Sequence, residues 1–139
     1  MPTVGASIEL LATPRDVWRF LAEPYHLADW WPNLVAVEPD RRGLATGARW
    51  RVRSHSSTMF RHADSEDTLV ILAADLESRV VFEFVRAKMR AELTLTPAGP
   101  DRTRAELQVA GPLMLGFSRS IARDALARLH NLVQTAATV

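Results

Sequence analysis

The chain has 139 residues, 47% of them hydrophobic and 24% charged, with a net charge of +1. That is the size and balance of one soluble globular domain, residues 1–139, with enough chain to bury a core. The near-neutral charge argues against a nucleic-acid partner, and the absence of cysteine excludes disulfides, thiolate catalysis and cysteine-ligated metals.

Residues 3–11 form the first predicted strand, with Val4, Ile8 and Leu10 apolar. Thr13-Pro14-Arg15-Asp16 is a helix start: Thr13 caps the first turn, Pro14 suits the first helical position, and Asp16 can complete a capping box. This helix buries Val17, Phe20 and Leu21 and stops at Glu23, because Pro24 disfavours helix in the residue before it. A second short helix spans residues 24–29, so two short helices separate strands one and two. From Leu34 the period becomes two. Predicted strands cover residues 34–38, 48–54, 66–74, 79–86, 90–96 and 103–110, with a hairpin somewhere within 55–64. Short, turn-rich connections imply antiparallel neighbours.

Residues 112–138 then place Met114, Phe117, Ile121, Ala125, Leu129, Leu132 and Ala136 at three- and four-residue steps. This spacing predicts one helix of about seven turns with a buried stripe, and Arg119, Arg123, Asp124, Arg128 and Asn131 fall on its solvated face. A long helix after a series of strands needs a broad apolar surface to cover, and a curved sheet supplies it. The fold class is therefore α+β: a seven-stranded antiparallel curved sheet wrapped around a long C-terminal helix.

This order of elements resembles the START-like (SRPBCC) superfamily of helix-grip folds, and within it the polyketide cyclase/dehydrase and lipid-transport branch. The resemblance covers nearly the whole chain. It rests on Thr13-Pro14-Arg15-Asp16-Val17-Trp18, Trp30-Trp31-Pro32, Gly47-Ala48-Arg49-Trp50, Glu66-Asp67-Thr68, and Thr103-Arg104-Ala105-Glu106-Leu107 before Gly111-Pro112-Leu113. It implies a cavity between sheet and helix that takes a lipid, sterol, polyketide or other apolar molecule. The glycine-rich loop of the plant pollen-allergen branch has no counterpart here.

The inward parity consists of Trp50, Val52, Phe82, Phe84, Leu93, Leu95, Leu107 and Val109, joined by Met114, Phe117 and Ile121 from the helix and closed by Leu27 and Trp31. Of these, Leu27, Trp31, Trp50, Val52, Phe82, Phe84, Leu93, Met114, Phe117 and Ile121 are the expected ligand-binding residues. An ordinary packed core would show the same periodicity. No cofactor or metal is expected, since His26, His55, His62 and His130 form no metal-binding pair. The first functional reading is binding of a small apolar ligand. The second is a polyketide cyclase or aromatase acting on a poly-β-ketone, with His62, Asp64, Glu83 and Tyr25 as candidates and His62–Asp64 as a pair able to move protons. Glu83 alternates with Phe82 and Phe84 and should point away from the cavity unless the register slips by one. Ser54 and Ser118, near the inward faces, could hydrogen-bond a ligand. A third is an accessory module that docks a protein or a membrane through Leu113, Met114, Leu115 and Phe117, as a resemblance to the branch associated with carbon monoxide dehydrogenase implies. Arg49, Arg51 and Arg53 form a basic stripe on an outer face, expected to be balanced by acids on neighbouring strands. With no apolar run of transmembrane length and no secretion signal, a cytoplasmic location is expected.

Overall fold

The computed structural model describes residues 2–58, 61–112 and 119–137. Seven antiparallel strands form one sheet in the order β1-β7-β6-β5-β4-β3-β2. They are β1 Thr3–Leu10, β2 Leu34–Glu38, β3 Arg49–Thr58, β4 Arg61–Asp75, β5 Arg79–Phe84, β6 Met89–Gly99 and β7 Arg102–Ala110. Strands β2 to β7 make a meander of successive hairpins. β1, first in the chain, pairs only with β7, Thr3 facing Ala110 and Leu10 facing Thr103.

The first helix, α1 (Pro14–Ala22), starts as its residues dictate: the Asp16 N–H donates to Thr13 Oγ1 at 3.1 Å and Pro14 takes the first position. After the cap at Glu23 comes a 3-10 turn over Pro24–His26 and then α2 (Leu27–Trp30), so the expected second helix is divided in two. The C-terminal helix α3 is Ile121–Ala137, 17 residues; the run expected from 112 is interrupted at Arg119 and Ser120, and residues 113–118 lie outside the described residues. Arg119 and Ser120 form a turn before it, and the Asp124 N–H donates to Ser120 O at 2.8 Å to begin the helical ladder. Among its described side chains the buried ones are Ile121, Ala122, Ala125, Leu126, Leu129 and Val133. Val133 takes the place expected of Leu132, which is only half-buried, because the stripe advances by 3.6 residues per turn.

β5 ends at Phe84, two residues before the expected Arg86. The Val85 N–H still donates to Thr68 O at 2.9 Å, but the next two N–H groups turn to the Asp67 carboxylate: Arg86 N to Oδ1 at 2.7 Å and Ala87 N to Oδ2 at 2.9 Å. β6 and β7 run further into their joint than expected and leave only Pro100 and Asp101 between Gly99 and Arg102. Asp101 and Gly99 sit at φ of 54° and 130°, the region a tight reversal needs.

Alternation along each strand sends one parity into a single apolar core. It gathers Leu10 from β1, Trp50 and Val52 from β3, Leu69 and Ile71 from β4, Val80, Phe82 and Phe84 from β5, Leu93 and Leu95 from β6, and Leu107 and Val109 from β7. Thr103 is the one fully buried polar side chain among the described residues, and its Oγ1–H donates to Ala12 O at 2.7 Å.

Candidate functional site

The inner face of the sheet is not covered evenly. α3 lies against β1 and β7 and meets α1 and α2 at its flanks. The part of the face built by β3 and β5 carries aromatic residues instead, and Trp30 and Trp31 from the α2 region come down on them. Trp31 meets Phe82 edge-on with ring centroids 5.2 Å apart, and Phe84 at 5.6 Å. Trp30 stands edge-on to Trp31 at 5.6 Å and to Phe82 at 6.4 Å, and Phe82 meets Phe84 at 5.8 Å. These separations and mostly perpendicular planes are the arrangement in which positive ring edges meet negative ring faces. Trp50 lines the same face from β3, and its indole N–H donates to Gly43 O at 3.0 Å, which frees the ring to stay buried.

Of the expected ligand-binding residues, Leu27, Trp31, Trp50, Val52, Phe82, Phe84, Leu93 and Ile121 are all buried and join one continuous cluster. Met114 and Phe117 lie outside the described residues, as do Leu113, Leu115 and Ser118. Trp30, Leu69 and Ile71 belong to the same face and were not among the expected residues. For β4 the reason is visible in Leu69-Val70-Ile71-Leu72, which is apolar at both parities, so alternation names no inner side. For Trp30 the signal was present, since it adjoins Trp31 in the motif before Pro32.

The polar candidates fall elsewhere. Tyr25 is 61% exposed. Glu83 alternates with the buried Phe82 and Phe84 and stands opposite Val70 and Arg90 in the ladder, so it points outward as expected. Asp64 is paired with His55. His55 and Asp64 face each other directly across β3 and β4, and the His55 Nδ1–H donates to Asp64 Oδ1 at 2.8 Å. Asp64 Oδ2 is also 3.7 Å from Arg53 Nε. His62 lies two residues before Asp64 on β4, and its side chain lies outside the described residues. His26 stacks on Phe20 with centroids 4.2 Å apart, and its Nδ1–H donates to Phe20 O at 2.7 Å, which assigns it to the α1–α2 corner. Among the described residues no group of three or more histidine, aspartate or glutamate side chains could hold a metal ion.

On the other side of the sheet a groove of about 280 Å3 opens beside the β5–β6 turn, lined by Arg51, Glu66, Asp67, Thr68, Val85 and Arg86. It is distinct from the pocket expected between sheet and helix. The basic stripe on β3 has the partners expected of it in part: Arg51 lies 3.7 Å from Glu38 and Arg53 3.7 Å from Asp64, both pairs well exposed. Such pairs contribute about 0–1 kcal/mol each.

The sheet order, the two short helices inserted after β1 and the C-terminal helix packed on the inner face make this a helix-grip fold. The family described as polyketide cyclase / dehydrase and lipid transport matches residues 1–137. The chain belongs to that family. Solved structures agree on the architecture. Protein NE0264 from Nitrosomonas europaea superposes with a TM-score of 0.72 at 17% identity, covering 99% of this chain and 97% of its own. A START superfamily protein from Mycobacterium smegmatis gives a TM-score of 0.71 at 12% identity, with 98% and 97% covered. The di-domain ARO/CYC BexL from the BE-7585A biosynthetic pathway gives 0.73 at 18% identity over 100% of this chain and 48% of BexL. At these identities the likeness is one of fold. Among curated proteins none matches in sequence. No helix among the described residues is long and apolar enough to cross a membrane.

Proposed function

We propose that this protein binds a small apolar molecule, a lipid or an aromatic polyketide, between the sheet and the C-terminal helix. The observation that carries this reading is the aromatic wall of Trp30, Trp31, Trp50, Phe82 and Phe84, which occupies the part of the inner face outside the main footprint of α3. These five rings are 2–3% exposed and pack on one another, so a flat or flexible hydrocarbon would bind by parting them, and their few rotatable bonds keep the entropic cost low. Family membership supports the same reading.

Binding is favoured over a cyclase or aromatase reaction by the placement of the polar groups. Assisting enolisation and water loss needs a titratable group within hydrogen-bond reach of the substrate. Tyr25, Asp64 and Glu83 all lie off the aromatic face, and the one buried polar side chain described, Thr103, is occupied by Ala12 O.

Native mass spectrometry of freshly purified protein, followed by organic extraction, tests the proposal. A bound apolar molecule released on denaturation is the expected result. A clean apo mass, together with no uptake of fluorescent fatty acid or polycyclic aromatic probes, would overturn it.

A further inference from the structure

Along β3 and β4 the burial of the inner face falls away toward the hairpin that joins them. The inner parity runs Trp50, Val52, Ser54 on β3 and Leu69, Asp67, Ser65 on β4, each residue standing directly opposite its counterpart. Trp50, Val52 and Leu69 are buried, Ser54 and Asp67 half-buried, and Ser65 exposed. In the other direction Ala48, Ile71 and Val80 remain buried. Phe84 closes β5 at the same end, level with Leu69, and Trp31 packs on it at 5.6 Å. Ser54 also stands opposite the buried Leu34 of β2, and the His55 N–H donates to Asn33 O at 2.8 Å, which ties the chain after Trp31 to β3. The aromatic wall therefore meets water at the Ser54–Ser65 pair.

Other polar groups around the wall are already engaged. The Trp50 indole N–H donates to Gly43 O, and the Thr103 hydroxyl donates to Ala12 O. The Asp67 carboxylate accepts the N–H groups of Thr68, Arg86 and Ala87 at 2.7–2.9 Å. The Ser54 and Ser65 hydroxyls have no such partner among the described residues. A serine hydroxyl donates one hydrogen bond and accepts others, and residues directly opposite on one face have Cβ atoms about 4.5–5.5 Å apart. Both hydroxyls can thus reach one ligand oxygen. Charge is arranged differently on the two faces. Arg49, Arg51, Arg53 and His55 take the outer parity of β3, so that strand presents no cation beside the serines, and Asp67 is the next inner residue along β4 from Ser65.

We propose that Ser54 and Ser65 form a subsite for the uncharged polar end of the ligand, a hydroxyl or carbonyl oxygen, and that the site selects such molecules over carboxylates. This rests on the ligand reading and deepens it. A neutral oxygen placed between the two serines exchanges its bonds to water for bonds to their hydroxyls. A carboxylate placed there gives up stronger hydration, finds no cation on β3 to replace it, and shares the face with Asp67.

Fluorescence titration with butylpyrene, pyrenebutanol and pyrenebutanoate tests it, since the three probes share one ring system and differ at the chain end. The parent protein should bind pyrenebutanol about ten-fold more tightly than pyrenebutanoate. Replacing Ser54→Ala together with Ser65→Ala should weaken pyrenebutanol about five-fold, the worth of one neutral hydrogen bond, and leave butylpyrene within about two-fold. Ser65→Thr, which keeps a hydroxyl at an exposed position, should hold the alcohol as the parent does. Thermal melts check that each variant folds. Failure of all three probes to bind the parent would overturn the ligand reading, and the subsite with it. Probes that bind, with the alcohol unmoved by the double substitution or with the carboxylate held most tightly, would overturn the subsite and leave the ligand reading standing.

Discussion

The inner face of the sheet has two halves built from different residues. Where α3 lies on β1 and β7, the contacts are aliphatic: Leu10, Ala105, Leu107 and Val109 from the strands meet Ala122, Ala125, Leu126, Leu129 and Val133 from the helix. Where Trp30 and Trp31 lie on β5, the contacts are aromatic. Small aliphatic residues let helix and sheet approach closely and fill space at crystal-like density. The large rings of the aromatic half pack on one another and are 2–3% exposed, so a ligand would meet their faces only by parting them. The first half serves as scaffold, the second as the surface proposed to meet a ligand.

Substitutions can break this comparison. Leu129→Ala, in the aliphatic half, should cost about 2–5 kcal/mol through lost transfer energy and the cavity left behind. Thermal or denaturant unfolding measures that loss, while the amount of ligand carried per folded molecule stays unchanged. Trp31→Leu, in the aromatic half, keeps an apolar side chain and should cost less, about 1–3 kcal/mol. Its larger effect is on occupancy, which should fall about ten-fold in native mass spectrometry, the equivalent of losing about 1.4 kcal/mol of binding. Were Leu129→Ala to empty the protein of ligand while Trp31→Leu left it loaded, the two halves would have been assigned the wrong way round.

The smallest effect concerns neither half. Asp40 accepts the backbone N–H groups of Arg49 and Arg42, both at 2.9 Å, and the Arg49 bond is the main reason its carboxyl is held below the ordinary value. A carboxyl held low stabilises the folded state above its unfolded pKa and loses that contribution as pH falls through the folded value. Unfolding of Asp40→Asn should therefore differ little from the parent in strong acid and show a slightly lower midpoint near neutrality. A difference that grew on acidification would contradict this sign.

Much of the fold was legible because β3, β6 and β7 alternate cleanly, and because the Thr13-Pro14 start and the Pro24 stop act through local sterics and hydrogen bonds. The aromatic wall was legible for the same reason, since the parity of Phe82 and Phe84 reads directly from β5. What escaped was long-range or ambiguous in period. The start of α3 was misplaced because Met114, Phe117 and Ile121 keep helical spacing across a turn at Arg119 and Ser120. The His55–Asp64 pairing escaped because the hairpin register, which sets these residues opposite each other, is decided by pairing between strands and leaves no mark within either one.

The order of strands has a consequence for how the chain assembles. β2 to β7 can pair one after another as neighbours in sequence, but β1 finds its only partner about a hundred residues later. The Thr103–Ala12 hydrogen bond and the donation from Gly111 N to Pro2 O at 3.1 Å close the same long loop. Closing it costs chain entropy that only a nearly finished sheet can offset. During synthesis, then, the first strand made is the last to be paired, and until β7 emerges its N–H and C=O groups stay open to a neighbouring chain.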